Sequence, residues 1–189
     1  MRAHPVSAMI LAAVLGLAAS ADARGGDTRV TSDGMTLVIP AGSPVRLASS
    51  GKGEVLGRFT GRFTITGPYT IECSIDFDGG CPLDGLELFI EPDAKLLARL
   101  PRWAMYEGNK PLIELTGAEP FIKAQLDAPT LAAFEAGGIE QTTGYASIVV
   151  EDLITGVDCD SPWYTARLVS FVPETRIAAR EPDGNRGCA

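Results

Sequence analysis

The sequence predicts a mainly β protein with one or two short helices, its strands curled into a small barrel; a two-sheet β-sandwich is the alternative. Three observations carry this. The stretch Gly57–Cys73 alternates strictly, with Phe59, Phe63, Ile65, Tyr69 and Ile71 on one side and Arg58, Thr60, Arg62, Thr64, Thr66, Thr70 and Glu72 on the other. Period-two alternation makes a strand with one dry and one wet face. That stretch is also too long for one straight strand in a small domain, since seventeen residues at about 3.3 Å each span roughly 56 Å. Gly57, Gly61 and the Gly67-Pro68 pair offer places to bend it, because glycine permits bulges and proline donates no ladder hydrogen bond. Finally, 21 glycines and 13 prolines punctuate the chain into many short segments.

Residues 1–23 read as a secretory signal. Arg2 supplies the positive end, Ala8 to Ala19 an apolar core too short to span a bilayer comfortably, and Ala21-Asp22-Ala23 a small-x-small cleavage site. No cysteine follows the apolar core to accept a lipid anchor, and no later run is long enough for a membrane helix. Cleavage removes His4, the single histidine of the chain. The mature chain from Arg24 therefore has no imidazole, which excludes Ser-His-Asp and Cys-His catalysis and histidine metal ligation. Cleavage removes one positive and one negative charge, Arg2 and Asp22, and the formal charge stays at −8. An acidic balance argues against nucleic acid and against anionic membrane surfaces as partners.

Four cysteines, Cys73, Cys81, Cys159 and Cys188, suit two disulfides in an exported protein. Three connectivities are open; the preferred one joins Cys73 to Cys81 across one loop and Cys159 to Cys188 at the tail.

In chain order, residues 24–50 form an N-terminal lead. Its first part, 24–34, is polar and glycine-rich, and Met35–Pro40 and Val45–Ala48 are short strands. Residues 51–175 form one β-rich core domain, and 176–189 a tail tied back by its disulfide. The central stretch divides into strands at about 54–66 and 69–74, with a corner at Gly67-Pro68. Leu86–Glu91 is the next strand. Asp93 caps a short helix that Pro101 stops, and 101–110 is irregular. Pro111–Thr116 and Phe121–Leu126 read as strands. Asp127 opens a helix through Ala136, with Pro129 in its first turn and Gly137-Gly138 at its end. Thr143–Leu153 and Tyr164–Val172 close the chain around a turn at Thr155–Pro162. Three strands, a helix and two strands is the order of an OB-like barrel. Here 54–66, 69–74 and 86–91 are the first three strands, and 93–126 is an insertion.

Candidate sites follow from residue types. Arg58 and Arg62 lie on the wet face of the central strand, without aromatics beside them to make a stacking platform; they suit a solvated face or a docking surface for an acidic partner. The loop Asp76–Glu87 lays Asp76, Asp78, Asp84 and Glu87 on positions 1, 3, 9 and 12 of a calcium loop, the only cofactor the residues suggest. It departs from that pattern at Gly80 and Cys81, and a disulfide-clipped acidic loop explains the same residues. Glu151, Asp152, Asp158 and Asp160 form a second acidic group, which could supply paired carboxylates for glycoside hydrolysis or simply a turn. Trp103, Tyr106, Trp163 and Tyr164 stand in or beside irregular stretches, as strand-entry core or as a contact patch.

These readings point to an exported, soluble, non-catalytic binding or interaction module of a bacterial-type envelope, periplasmic or secreted, with an envelope protein or glycan as partner. The alternatives are an inhibitor of a basic hydrolase such as a lysozyme or protease, acting by charge complementarity, or a carboxylate-dependent hydrolase.

Overall fold

The computed structural model describes residues 26–32, 34–51, 55–74, 80–106, 108, 110–158 and 161–180, with only the backbone at 32, 55, 56 and 173–180. The signal segment 1–23, Asp76, Asp78, Cys159, Asp160 and Cys188 lie outside the described residues.

The elements are β1 (Thr28–Ser32), β2 (Met35–Ile39), β3 (Arg46–Ser49), β4 (Val55–Thr60), β5 (Arg62–Cys73), β6 (Leu86–Ile90), α1 (Ala94–Leu97), β7 (Arg102–Trp103), β8 (Ile113–Thr116), α2 (Glu119–Gln125), α3 (Ala128–Glu135), β9 (Gln141–Asp158) and β10 (Ser161–Arg180). The large sheet runs β10-β8-β6-β5-β9-β4-β3, and β9 also pairs with β10. That last pairing closes a ring, β5-β6-β8-β10-β9, in which β8 and β10 are parallel and the other neighbours antiparallel. With α2 and α3 between the third and fourth ring strands, this is the OB order. Ring closure, rather than two facing sheets, encloses the core. A three-stranded sheet, β1-β2-β7, packs on the barrel through Leu37 and Trp103, both in the same buried cluster.

The alternation of the central stretch appears as expected: Phe63, Ile65, Tyr69 and Ile71 are buried, while Arg62, Thr64 and Pro68 are exposed. The break, however, is at Gly61 and not at Gly67-Pro68. Gly61 has φ +135°, and a Cβ there would lie 2.8 Å from the Pro44 carbonyl oxygen, so only glycine fits. β5 runs unbroken through Pro68 because the ladder with β6 ends there. The Pro68 carbonyl accepts from Glu91 N–H at 2.9 Å. A strand residue points its N–H to the same side as its C=O, so the missing N–H faces the place where the partner chain departs. β5 is therefore the first ring strand, 86–90 the second and 113–116 the third; β4 extends β9 beyond the ring.

Five further expectations are corrected. Residues 121–126 are helical, not extended. Ala118, Phe121, Ile122 and Leu126 are buried at i, i+3, i+4 and i+8, with Pro120 in the first turn. Phe121 meets Tyr69 and Phe171 edge-on, with ring centroids 5.0 and 4.7 Å apart, and so covers the barrel end. The described residues thus hold three short helices. Within 24–34, Thr28–Ser32 is a strand paired to β2, and within 101–110 Arg102–Trp103 pairs with Val38 and Leu37. The turn-like Thr155–Asp158 belongs to β9, because β4 supplies a partner through Val55 opposite Gly156. At the other end β10 continues through 176–180, expected as tail, because β9 pairs with it as far as Arg180 opposite Gln141. Irregularities at four places along that pairing coil the hairpin, as bulges do, and let its strands join both sides of the ring. Opposite Tyr69 stands Gly144, where a Cβ would sit 2.3 Å from the tyrosine ring.

The helix caps agree with expectation. The Asp93 carboxylate accepts from Leu96 N–H at 2.8 Å, and that of Asp127 from Thr130 N–H at 2.9 Å. Cys73 and Cys81 form a disulfide with Cα atoms 5.7 Å apart.

Candidate functional site

Alternation decides which side chains leave the barrel. On β6, Leu86, Leu88 and Ile90 turn inward, so Glu87 and Phe89 turn outward; on β8, Ile113 and Leu115 turn inward and Glu114 outward. Register then sets neighbours. Phe89 lies opposite Glu114, Glu114 beside Thr165, and Glu72 opposite Glu87. Three adjoining depressions cover this wall. One of about 510 Å³ lies between Phe89, Leu112, Glu114 and Trp163. It shares Pro111, Pro162 and Tyr164 with a second of about 300 Å³, which reaches Leu97, Pro101 and Tyr106. It shares Glu114 with a third of about 260 Å³, which holds Asp84, Glu87 and Glu119. The result is a groove with aromatic and proline walls and an acidic floor.

Burial and the neighbouring Glu87 together push the Glu114 carboxyl above its ordinary value. Among the described residues no cation lies within ion-pairing distance of Glu87 or Glu114. Glu119 is paired with Lys123, and Lys110 on the rim with Glu91 at 3.4 Å. Leu112, on the same rim, is largely exposed. The Cys73–Cys81 bridge, the Cys81 N–H bond to the Phe134 carbonyl and a short 3-10 turn at Leu83–Gly85 hold Asp84 at the groove's end.

The four aromatics singled out from the sequence divide. Trp103 is 1% exposed and donates from Nε1 to the Thr155 hydroxyl at 3.1 Å, which in turn donates to the Trp163 carbonyl at 2.9 Å. It belongs to the core. Tyr164 is also in the core, and burial pushes its phenol above the ordinary value, with Thr155 and Arg102 pulling the other way. Only its edge lines the groove. Trp163 and Tyr106 are half-buried in the groove wall. Arg58 and Arg62 are exposed and line none of the three depressions. Arg62 donates to the Glu151 carboxylate at 2.8 Å, and Glu151 and Asp152 both pair with Arg167. Asp152 has φ +56°, where the chain bends beside the Gly61 break. Glu151 and Asp152 are thus spent on a cross-strand network, and Asp158 is exposed at the end of β9. Of the calcium-loop residues, Asp84 and Glu87 line one depression, while Asp76 and Asp78 lie outside the described residues; among the described residues no group of three His, Cys, Asp or Glu converges to hold a metal.

Phe89 and Glu114 were not candidates in the sequence. Their signal, the runs Leu-Glu-Leu-Phe-Ile and Ile-Glu-Leu, gives the outward direction but not that the two strands pair. Compared with known proteins, the chain matches no family model, no curated protein and no solved structure.

Proposed function

We propose that the chain is an exported, non-catalytic binding module that engages a basic partner of the cell envelope through the outer wall of β6, β8 and β10. The observation that carries this is the groove in which Glu114 lies between Phe89 and Trp163 and which continues into the depression of Glu87, neither carboxylate ion-paired to a described cation. A net charge of −8 steers a basic partner toward it, and inhibition of a basic hydrolase is one form such binding takes. Export is supported by the segment 1–23, by the disulfide, and by the absence among the described residues of any helix long and apolar enough to cross a membrane.

The test is capture from envelope extract with the mature, oxidised chain from Arg24 as bait, beside its E87Q/E114Q variant. A partner retained in near-equal amount by the wild type, released by moderate salt and absent from the variant is the expected result. Equal capture by both chains refutes the assignment to this wall.

One observation favours a second reading, a carboxylate-dependent hydrolase. Burial and the neighbouring Glu87 raise the Glu114 carboxyl above its ordinary value, as the acid of a glycosidase pair requires. Turnover of aryl glycosides by the wild type, lost in E114Q, would establish it in place of the binder.

A further inference from the structure

Resting on the binding-module reading, we infer that the occupant of the groove is an extended, arginine-bearing segment of a basic protein, with one guanidinium seated on Glu114 between Phe89 and Trp163 and Glu87 in the adjoining depression. Three features select this occupant. The groove crosses three strands, about 10 Å at the usual strand spacing, and continues into the second depression, walled by Pro101, Pro111 and Pro162. That length takes roughly three residues of extended chain rather than a point ion. Rigid proline walls are set before binding, which lowers the ordering cost of docking. The chemistry of the floor is specific as well. The Glu114 carboxylate matches the planar fork of a guanidinium, which pairs bidentately and stacks on aromatic faces, whereas an ammonium does neither as well. The resistance of Glu114 to ionisation is relieved by a cation placed against it. Finally, a divalent cation fits poorly, since no group of three ligating side chains converges among the described residues.

The experiment is calorimetric titration of the mature chain with a seven-residue peptide alternating glycine and arginine, its lysine counterpart, spermine and calcium chloride. The arginine peptide should bind about tenfold more tightly than the lysine peptide, the difference that one charge-assisted hydrogen-bond pair makes. E87Q/E114Q and W163L should each weaken it by about tenfold, with R58A unchanged and cooperative thermal melting showing that the variants fold. Equal affinity for arginine, lysine and spermine, insensitive to W163L, overturns the inference and leaves a diffuse acidic surface. Tighter binding of calcium than of the peptide overturns it also. A peptide that fails while the envelope partner is still captured in a Glu114-dependent way removes the arginine segment and keeps the binding wall; failure of both removes the wall.

Discussion

Where β5, β9 and β10 run side by side, the barrel's outer charges answer one another. Arg62 lies opposite Glu151 in one register and Arg167 opposite Glu151 in the next, with Asp152 closing on Arg167 at 3.0 Å. Thr66 and Ser147 add a hydroxyl bond at 2.9 Å across the same pair of strands. Where β6 and β8 run side by side, carboxylates stand near each other instead: Glu87 is close enough to raise Glu114. Like charges on neighbouring strands cost stability. The difference is that the charges of one wall are paired within the molecule, while Glu87 and Glu114 on the other have no ion-paired cation among the described residues.

The largest way to disturb this contrast is to release the segment that fixes one end of the acidic groove. Replacing Cys73 and Cys81 by alanine should cost about 2–3 kcal/mol, the chain-entropy value for so short a loop, read as a lower denaturation midpoint. Because the bridge anchors the turn that carries Asp84, binding of the arginine peptide should weaken as well, while the Arg62–Glu151–Arg167 wall stays intact.

Next comes the paired wall. Glu151→Gln leaves Arg62 and Arg167 facing each other across β9. The arginines are mostly in water, so the loss should be about 1 kcal/mol and should shrink in high salt. A double-mutant cycle with Arg167→Ala measures the coupling, and peptide affinity should not change.

A smaller effect, of opposite sign, is expected on the acidic wall. Folding raises the Glu114 value, so the folded chain binds that proton more readily than the unfolded one. The stability from this proton is full below the unfolded carboxylate range, near pH 4, and is lost as pH rises through the folded value. Glu114→Gln is neutral at every pH. It should therefore be more stable than the wild type at pH 7, by less than about 1 kcal/mol for a half-exposed group, and equal to it below about pH 4. Urea melts at the two pH values check this; a destabilised variant at pH 7 would mean that Glu114 already has a favourable contact. Smallest of all, Arg58→Ala, on the exposed face away from the groove, should stay within about 0.5 kcal/mol of the wild type and keep full peptide affinity.

Much of the barrel was legible in the chain because burial on one side of a strand writes itself as alternation. The inward set of β5, the caps Asp93 and Asp127 and the Cys73–Cys81 bridge could all be read locally. Segments whose state depends on a distant partner were misread. Thr155–Asp158 carries turn-like residues and is strand because β4 lies against it. Phe121–Leu126 looks extended in isolation and is helical because its buried residues, counted from Ala118, follow a helical period. Trp103 stood among candidate contact residues because local sequence does not show the Thr155 hydroxyl that takes its N–H in the core.

The candidate site shows the same division. By itself the sequence determined composition, charge, the absence of histidine after His4, and the outward direction of Glu87 and Glu114, since these depend on residue identity and on a period of two. Only the tertiary structure decided that β6 pairs with β8 and β8 with β10, which sets Phe89, Glu114 and Trp163 around one groove. Register between strands is fixed by packing of their inner faces and by ring closure, and these join residues that the chain keeps far apart.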